Sequence, residues 1–194
     1  MIHISFKNSK VGHVPSFSLT PGETCSATAC KTCYEEGCYA RKICRMRPTV
    51  RNAYEENTAI VRENLPFFQS YMNAYFDSVA APRYFRVHVS GDFFSREYAE
   101  AWADIARNHP YTNFLAFTKQ FDIVRSVGFP DNFKIVLSAW PGTEIPDDLR
   151  SKYHVAWMDD GNTFIPPDAQ ECVGNCEFCG NCWNLDHDVV FHKH

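Results

Sequence analysis

The stretch RYFRVHVS, residues 83–90, alternates polar and apolar side chains, the period-two signature of a strand with two unlike faces. The same criterion predicts strands in IHISF near the start and in NFLAFTK, FKIVLSAW and HVAWMDD further on. Between them, REYAEAWADIARN, FDIVRSV and DDLRSKY carry helical spacing, and Ser95 is placed to cap the first. Upstream, PTVRNAYEENTAIVRENL sets Val50, Ala53, Tyr54, Ile60 and Val61 at roughly helical intervals. Pro66 then opens a second helical stretch, PFFQSYMNAYFDSVA, which breaks at Ala81-Pro82. Strands and helices that alternate with short connections predict parallel β/α units. The expected fold class is therefore α/β, a partial (β/α) barrel of parallel strands. Glycine and proline in GNTFIPPD predict the end of that barrel (residues 1–165). Residues 166–194 are expected to form a small C-terminal cysteine-rich metal-binding lobe and tail within the same globular unit. The tail HDVVFHKH reads as a solvated end.

Composition narrows the picture. A net charge of −4 gives no overall attraction to nucleic acid or to an anionic membrane. The local run Arg41, Lys42, Arg45, Arg47 and Arg51 is expected to be a solvated helix face. No apolar run approaches the roughly 20 residues of a bilayer span. The N-terminal MIHISFKNSKVGH has no hydrophobic signal core, so the expected location is the cytoplasm, with no membrane partner.

Face assignment brings in chemistry. Alternation puts Phe85, Val87 and Val89 on an apolar side and Arg86, His88 and Ser90 on the other, where a barrel interior would take Val, Ile or Leu. Three inward polar side chains predict a polar ligand. The strand ends add Gly91-Asp92, Thr118-Lys119, Ser138 with Trp140, and Asp159-Asp160, at the edge where β/α enzymes place their sites. Glycine there admits a close ligand, and a carboxylate accepts a hydrogen bond from an ammonium.

The nine cysteines fall in two runs and nowhere else. Clustered thiols in a cytosolic chain point to metal. Cys172, Cys176, Cys179 and Cys182 have the spacing C-x3-C-x2-C-x2-C, which suits an iron–sulfur cluster wrapped by one loop, with structural zinc as the alternative. The first run offers Cys25, Cys30, Cys33, Cys38 and Cys44. Three cysteines on a cluster leave one iron open, and both Cys25/Cys30/Cys33 and Cys25/Cys33/Cys38 are possible triplets.

A cysteine-rich loop after the first strand, closing on Cys38-Tyr39-Ala40 and followed by β/α units, resembles the radical S-adenosylmethionine (SAM) enzymes. HVSGDFFSREYAEAW, FTK and SAWPG are similar to phrases of a phage-encoded, gene-product-88-like family, over about residues 20–185. The resemblance implies a SAM-binding [4Fe–4S] cluster on Cys25, Cys33 and Cys38, with Cys30 competing for the middle place because the usual C-x3-C-x2-C spacing is absent. It implies reductive cleavage of SAM to a 5′-deoxyadenosyl radical, which modifies a substrate of nucleotide, nucleic-acid or other kind in the host cytoplasm. An electron donor such as flavodoxin or ferredoxin would serve it. His88, Asp92 and Lys119 are the candidate catalytic residues, and Tyr39, Ser90, Gly91, Asp92, Ser138 and Trp140 the candidate cofactor contacts. Two alternatives stand beside this reading. One is a zinc-dependent, transglycosylase-like nucleobase enzyme; the other is a zinc-stabilised nucleic-acid-binding protein using the Arg41–Arg51 run.

Overall fold

A computed structural model describes residues 1–8, 11–27, 33–35, 37–184 and 186–192. Its elements run in chain order β1 (Ile4–Ser5), β2 (Ser16–Phe17), α1 (Tyr39–Met46), α2 (Pro48–Glu63), α3 (Leu65–Phe76), β3 (Tyr84–Val87) and α4 (Arg96–Asn108). They continue with β4 (Asn113–Thr118), α5 (Phe121–Ser126), β5 (Phe133–Ala139), α6 (Asp147–Arg150) and β6 (Val155–Asp159). The C-terminal part adds β7 (Gln170–Glu171), α7 (Cys176–Cys179), a 3₁₀ turn (Asn181–Trp183) and β8 (Val189–His192).

The helices follow local rules. Ser95 accepts a hydrogen bond from Tyr98 N at 3.2 Å and starts α4 where its sequence predicts. Asn64 does the same for α3 through Phe67 N at 3.0 Å, with Pro66 tolerated in the first turn. Along α4, Tyr98, Ala99, Trp102, Ala103, Ile105 and Ala106 form one buried face.

Eight strands make one sheet in the order β1-β2-β3-β4-β5-β6-β8-β7. Only β1 with β2 is antiparallel; the other neighbours are parallel. Among the described residues β1 and β7 pair with no further strand, so the sheet is open there and does not close into a barrel.

Its two faces differ. Phe85, Val87, Phe114, Ala116, Ile135 and Leu137 pack under α3 and α4 with Phe68, Met72, Phe76 and Trp102. Each fully buried large side chain here contributes roughly 1.5–3 kcal/mol. On the opposite face Leu115, Val136, Ala156 and Val189 meet Cys182 and Trp183. Trp183 fixes that layer by donating to Asn113 O at 3.1 Å and packing on Tyr84 at 5.3 Å between ring centroids. The C-terminal cysteine turn therefore lies on the sheet.

The tail departs from its sequence reading. Residues 189–192 are not a solvated end; they form β8 between β6 and β7, with Val189 buried. The physical reason is Asp188, whose buried carboxylate takes donors from β6 and α6 and draws the strand into the sheet. His192 does lie at the surface, 3.2 Å from Asp159 and 3.0 Å from Glu171.

Candidate functional site

Parallel strands bring the carboxyl ends of β2 to β6 to one edge, and the first cysteine loop leaves β2 there. Its base is stitched to the turn after β3. Ser18 Oγ accepts from Val89 N at 3.2 Å and Ser90 N at 3.3 Å, and Ser90 Oγ donates to Leu19 O at 2.9 Å. Thr24 Oγ1 accepts from Asp92 N at 3.3 Å. Gly91 has φ +79°, and a Cβ there would stand 2.5 Å from Thr24 Oγ1 and 2.7 Å from Leu19 Cβ. The close neighbour that requires glycine is thus the protein's own cysteine loop. Tyr39 adds a third tie by donating its hydroxyl to Val89 O.

Above this base Cys33 lies within electrostatic reach of Cys25, Cys38 and Lys119, and Cys38 of Cys33 and Lys119. The Cys33 thiol donates to the Cys38 sulfur, which caps α1 and also accepts from Arg41 N at 3.5 Å and from Ala40 N. The Cys33 hydrogen bond, those backbone donors and the Lys119 ammonium bring the Cys38 thiol down to about 6 against the opposing effect of burial. Cys33, as the donor and buried, is pushed well up. Gly22 N reaches Cys25 Sγ at 3.4 Å. Trp140 borders the group, with Lys119 Nζ 5.7 Å from its ring centroid and Gly37 against its edge. Cys30 lies outside the described residues. Among the described residues no three His, Cys, Asp or Glu side chains converge closely enough to hold one ion. The chemistry of the donor set is that of thiolate ligands: Cys38 is thiolate-prone, Cys33 lies against it, Cys25 lies near Cys33, and Lys119 offsets charge.

Other predicted residues fall elsewhere. β3 ends at Val87, and His88 takes φ +62°, which breaks the alternation. His88 therefore does not share the face of Arg86. It is buried against Phe93 and Tyr98, with Nε2 2.8 Å from Tyr98 OH, and burial holds its imidazole neutral down to about 3. Ser90 likewise serves the backbone, through its bond to Leu19 O. Ser138 sits half-buried on β5 opposite Ala156, on the sheet face of Arg86.

Asp92 is a strut between strand ends. Its Oδ1 accepts from Phe93 N at 2.8 Å and Thr118 Oγ1 at 2.6 Å, and its Oδ2 from Lys119 N at 2.8 Å. Burial raises its carboxyl above the ordinary range, and the hydrogen bonds from Lys119 and Thr118 oppose that. Asn at this position would set an N–H₂ against a backbone N–H or turn an acceptor away from Thr118. Asp92→Asn is expected to cost about 1–3 kcal/mol in urea unfolding; unchanged stability would show that the strut is dispensable.

The second run lies against the opposite face of the sheet. Cys172, Cys176, Cys179 and Cys182 line one cavity of about 20 Å³, with Cys176 and Cys179 one turn apart on α7 and Gly180 ending that turn at φ +64°. Burial pushes Cys182 up to about 12. Arg86 faces this group from β3: its guanidinium stacks on Phe117 at 4.1 Å and its Nε donates to His88 O at 3.2 Å. Burial lowers its pKa, opposed by the nearby Cys176, Tyr39, Cys182 and Cys172. Among the described residues no carboxylate pairs with it. Sequence reasoning took Arg86 for a ligand-facing residue; a mid-strand cation on the face that receives four thiols was the available signal.

These features define an open-sheet α/β protein whose carboxyl edge carries a thiol cluster and whose second face carries another. The family model for gene product 88 matches residues 4–178, and the chain belongs to that family. The Gene 88 protein of Mycobacterium phage L5 is 28% identical over 214 aligned residues, covering 95% of this chain and 89% of the relative. The Gene 88 protein of Mycobacterium phage D29 is 32% identical over 120 residues, 58% of this chain and 50% of the relative. No solved structure matches the chain. No helix among the described residues is long and apolar enough to cross a membrane.

Proposed function

We propose that the chain is a small iron–sulfur enzyme of radical SAM type, acting in the host cytoplasm with a flavodoxin- or ferredoxin-like electron donor. One observation carries the reading: Cys33 and Cys38 pair beside Lys119, with Cys25 near Cys33, at the carboxyl edge of a parallel sheet, on a loop anchored by Ser18, Ser90, Gly91 and Thr24. The three cysteines are the residues that would hold a [4Fe–4S] cluster, which when bound supplies reductive cleavage of SAM. Lys119 offsets thiolate charge, and Trp140 and Tyr39 are the residues proposed to border SAM. Asp92 and His88 hold the β3 turn in place and have no contact role in this reading. A partial-barrel curvature of the open sheet belongs to the same proposal.

The C-terminal run is proposed as a second metal site, making a cysteine-rich metal-binding segment. A single tetrahedral ion such as zinc is the group proposed for these four cysteines. Arg86 would offset the charge of four thiolates.

Anaerobic purification with iron, sulfide and zinc analysis tests both sites. About four irons with matching sulfide and about one zinc per chain is the expected result. Zinc without sulfide overturns the radical SAM reading and favours a zinc enzyme or binding protein.

A further inference from the structure

A cavity of about 240 Å³ opens beside the first cysteine loop, walled by two helix faces that confront each other. Arg41, Cys44 and Arg45 project from α1 at i, i+3 and i+4, and Arg51, Tyr54 and Glu55 repeat that spacing on α2. Thr20, Pro21 and Tyr34 complete the lining. The expected solvated basic face is thus partly turned into a pocket.

Its charge is unusual for this protein. Three guanidinia meet one carboxylate, which leaves two positive charges in a single cavity of a chain whose net charge is −4. Arg41 and Arg45 are like charges at i, i+4, an arrangement that destabilises a helix when nothing anionic lies between them. Arg51 reaches Glu55 only at 3.7 Å, and Arg45 has no ion-pair partner among the described residues. Arg41 is held over the Tyr34 ring at 4.8 Å, with Nη1 donating to Tyr34 O at 3.2 Å, the guanidinium's one hydrogen bond among the described residues. Forked donors of this kind recognise phosphate oxygens in pairs. The cavity is smaller than the roughly 300–1,000 Å³ that encloses a drug-sized ligand. It suits a phosphate with part of an attached ring laid against Tyr54.

We infer that this cavity binds the phosphate of a nucleotide, free or at the end of a nucleic-acid strand, through Arg41, Arg45 and Arg51. The inference does not depend on the metal reading, since none of these three residues is proposed as a ligand.

Calorimetric titration of the full chain, purified with its metal content recorded, tests it with AMP, adenosine and inorganic phosphate. AMP is expected to bind at least about 10-fold more tightly than adenosine. The pair Arg45→Gln and Arg51→Gln, both exposed, should weaken AMP by about 10- to 150-fold. Glu55→Gln should tighten it, a gain that misfolding cannot produce. A fluorescent single-stranded DNA bearing a 5′-phosphate separates the sources: AMP binding alone assigns a free nucleotide, whereas strand binding that AMP displaces assigns a strand end. Equal affinity for AMP and adenosine, or affinity for AMP unchanged by the double variant, overturns the inference. Binding of neither AMP nor inorganic phosphate overturns it as well.

Discussion

Asp188→Ala is expected to lower the unfolding free energy by about 3–5 kcal/mol, which at this chain length is a fall in Tm of about 6–20 °C. Its carboxylate is 5% exposed and collects donors from two elements. Oδ1 accepts from Val155 N at 2.8 Å and Arg150 Nη1 at 3.2 Å, and Oδ2 from Trp157 Nε1 at 2.8 Å and Arg150 Nη2 at 2.7 Å. Alanine strands a buried backbone N–H, an indole N–H and a guanidinium together, so the full desolvation cost of each donor is exposed. The Arg150 side chain is 39% exposed, so solvent screening trims its share and the two N–H groups carry most of the effect. Asp188→Asn keeps the shape and one acceptor oxygen, so it should lose about half as much. Thermal and urea unfolding, each followed by circular dichroism, decide this. A loss below about 1 kcal/mol for the alanine variant would mean that β8 does not dock through Asp188.

The second large effect concerns the proposed cluster. Cys25→Ala, Cys33→Ala and Cys38→Ala should each abolish iron uptake at the first run and reductive SAM cleavage, because a cubane held by two thiols is not retained. Metal at Cys172–Cys182 should persist in all three variants, since that cavity lies against a face of the sheet and not at its carboxyl edge. Cys44→Ala is the control: it lies in the helix, lines the arginine cavity and should keep its iron. Iron and sulfide content with the electronic absorption spectrum reads these outcomes without requiring turnover. Activity surviving in Cys33→Ala but not in Cys30→Ala would move the middle ligand to Cys30.

Periodicity and capping were enough to determine the alternating strands and helices between residues 83 and 159, down to the N-cap of α4, because each of those elements carries its own pattern. The α/β class followed from their order. The two cysteine runs and their spacing were equally legible, since the residues lie close along the chain.

Tertiary packing decided the rest. The sequence shows His88 as the next alternate residue of a strand, whereas a positive φ ends the strand and turns the ring into the helical core beside Tyr98. Gly91-Asp92 has the composition of a ligand-binding strand end, yet its hydrogen bonds go to the neighbouring strand and the cysteine loop. The polar tail became an inner strand only because Asp188 meets donors from residues about thirty positions away. Local pattern records what a residue prefers; which partner satisfies a buried carboxylate or thiol depends on segments distant in sequence. Lys119 beside Cys33 and Cys38, and Arg86 beside Cys172, Cys176 and Cys182, are the clearest cases, because neither cation is near those cysteines along the chain.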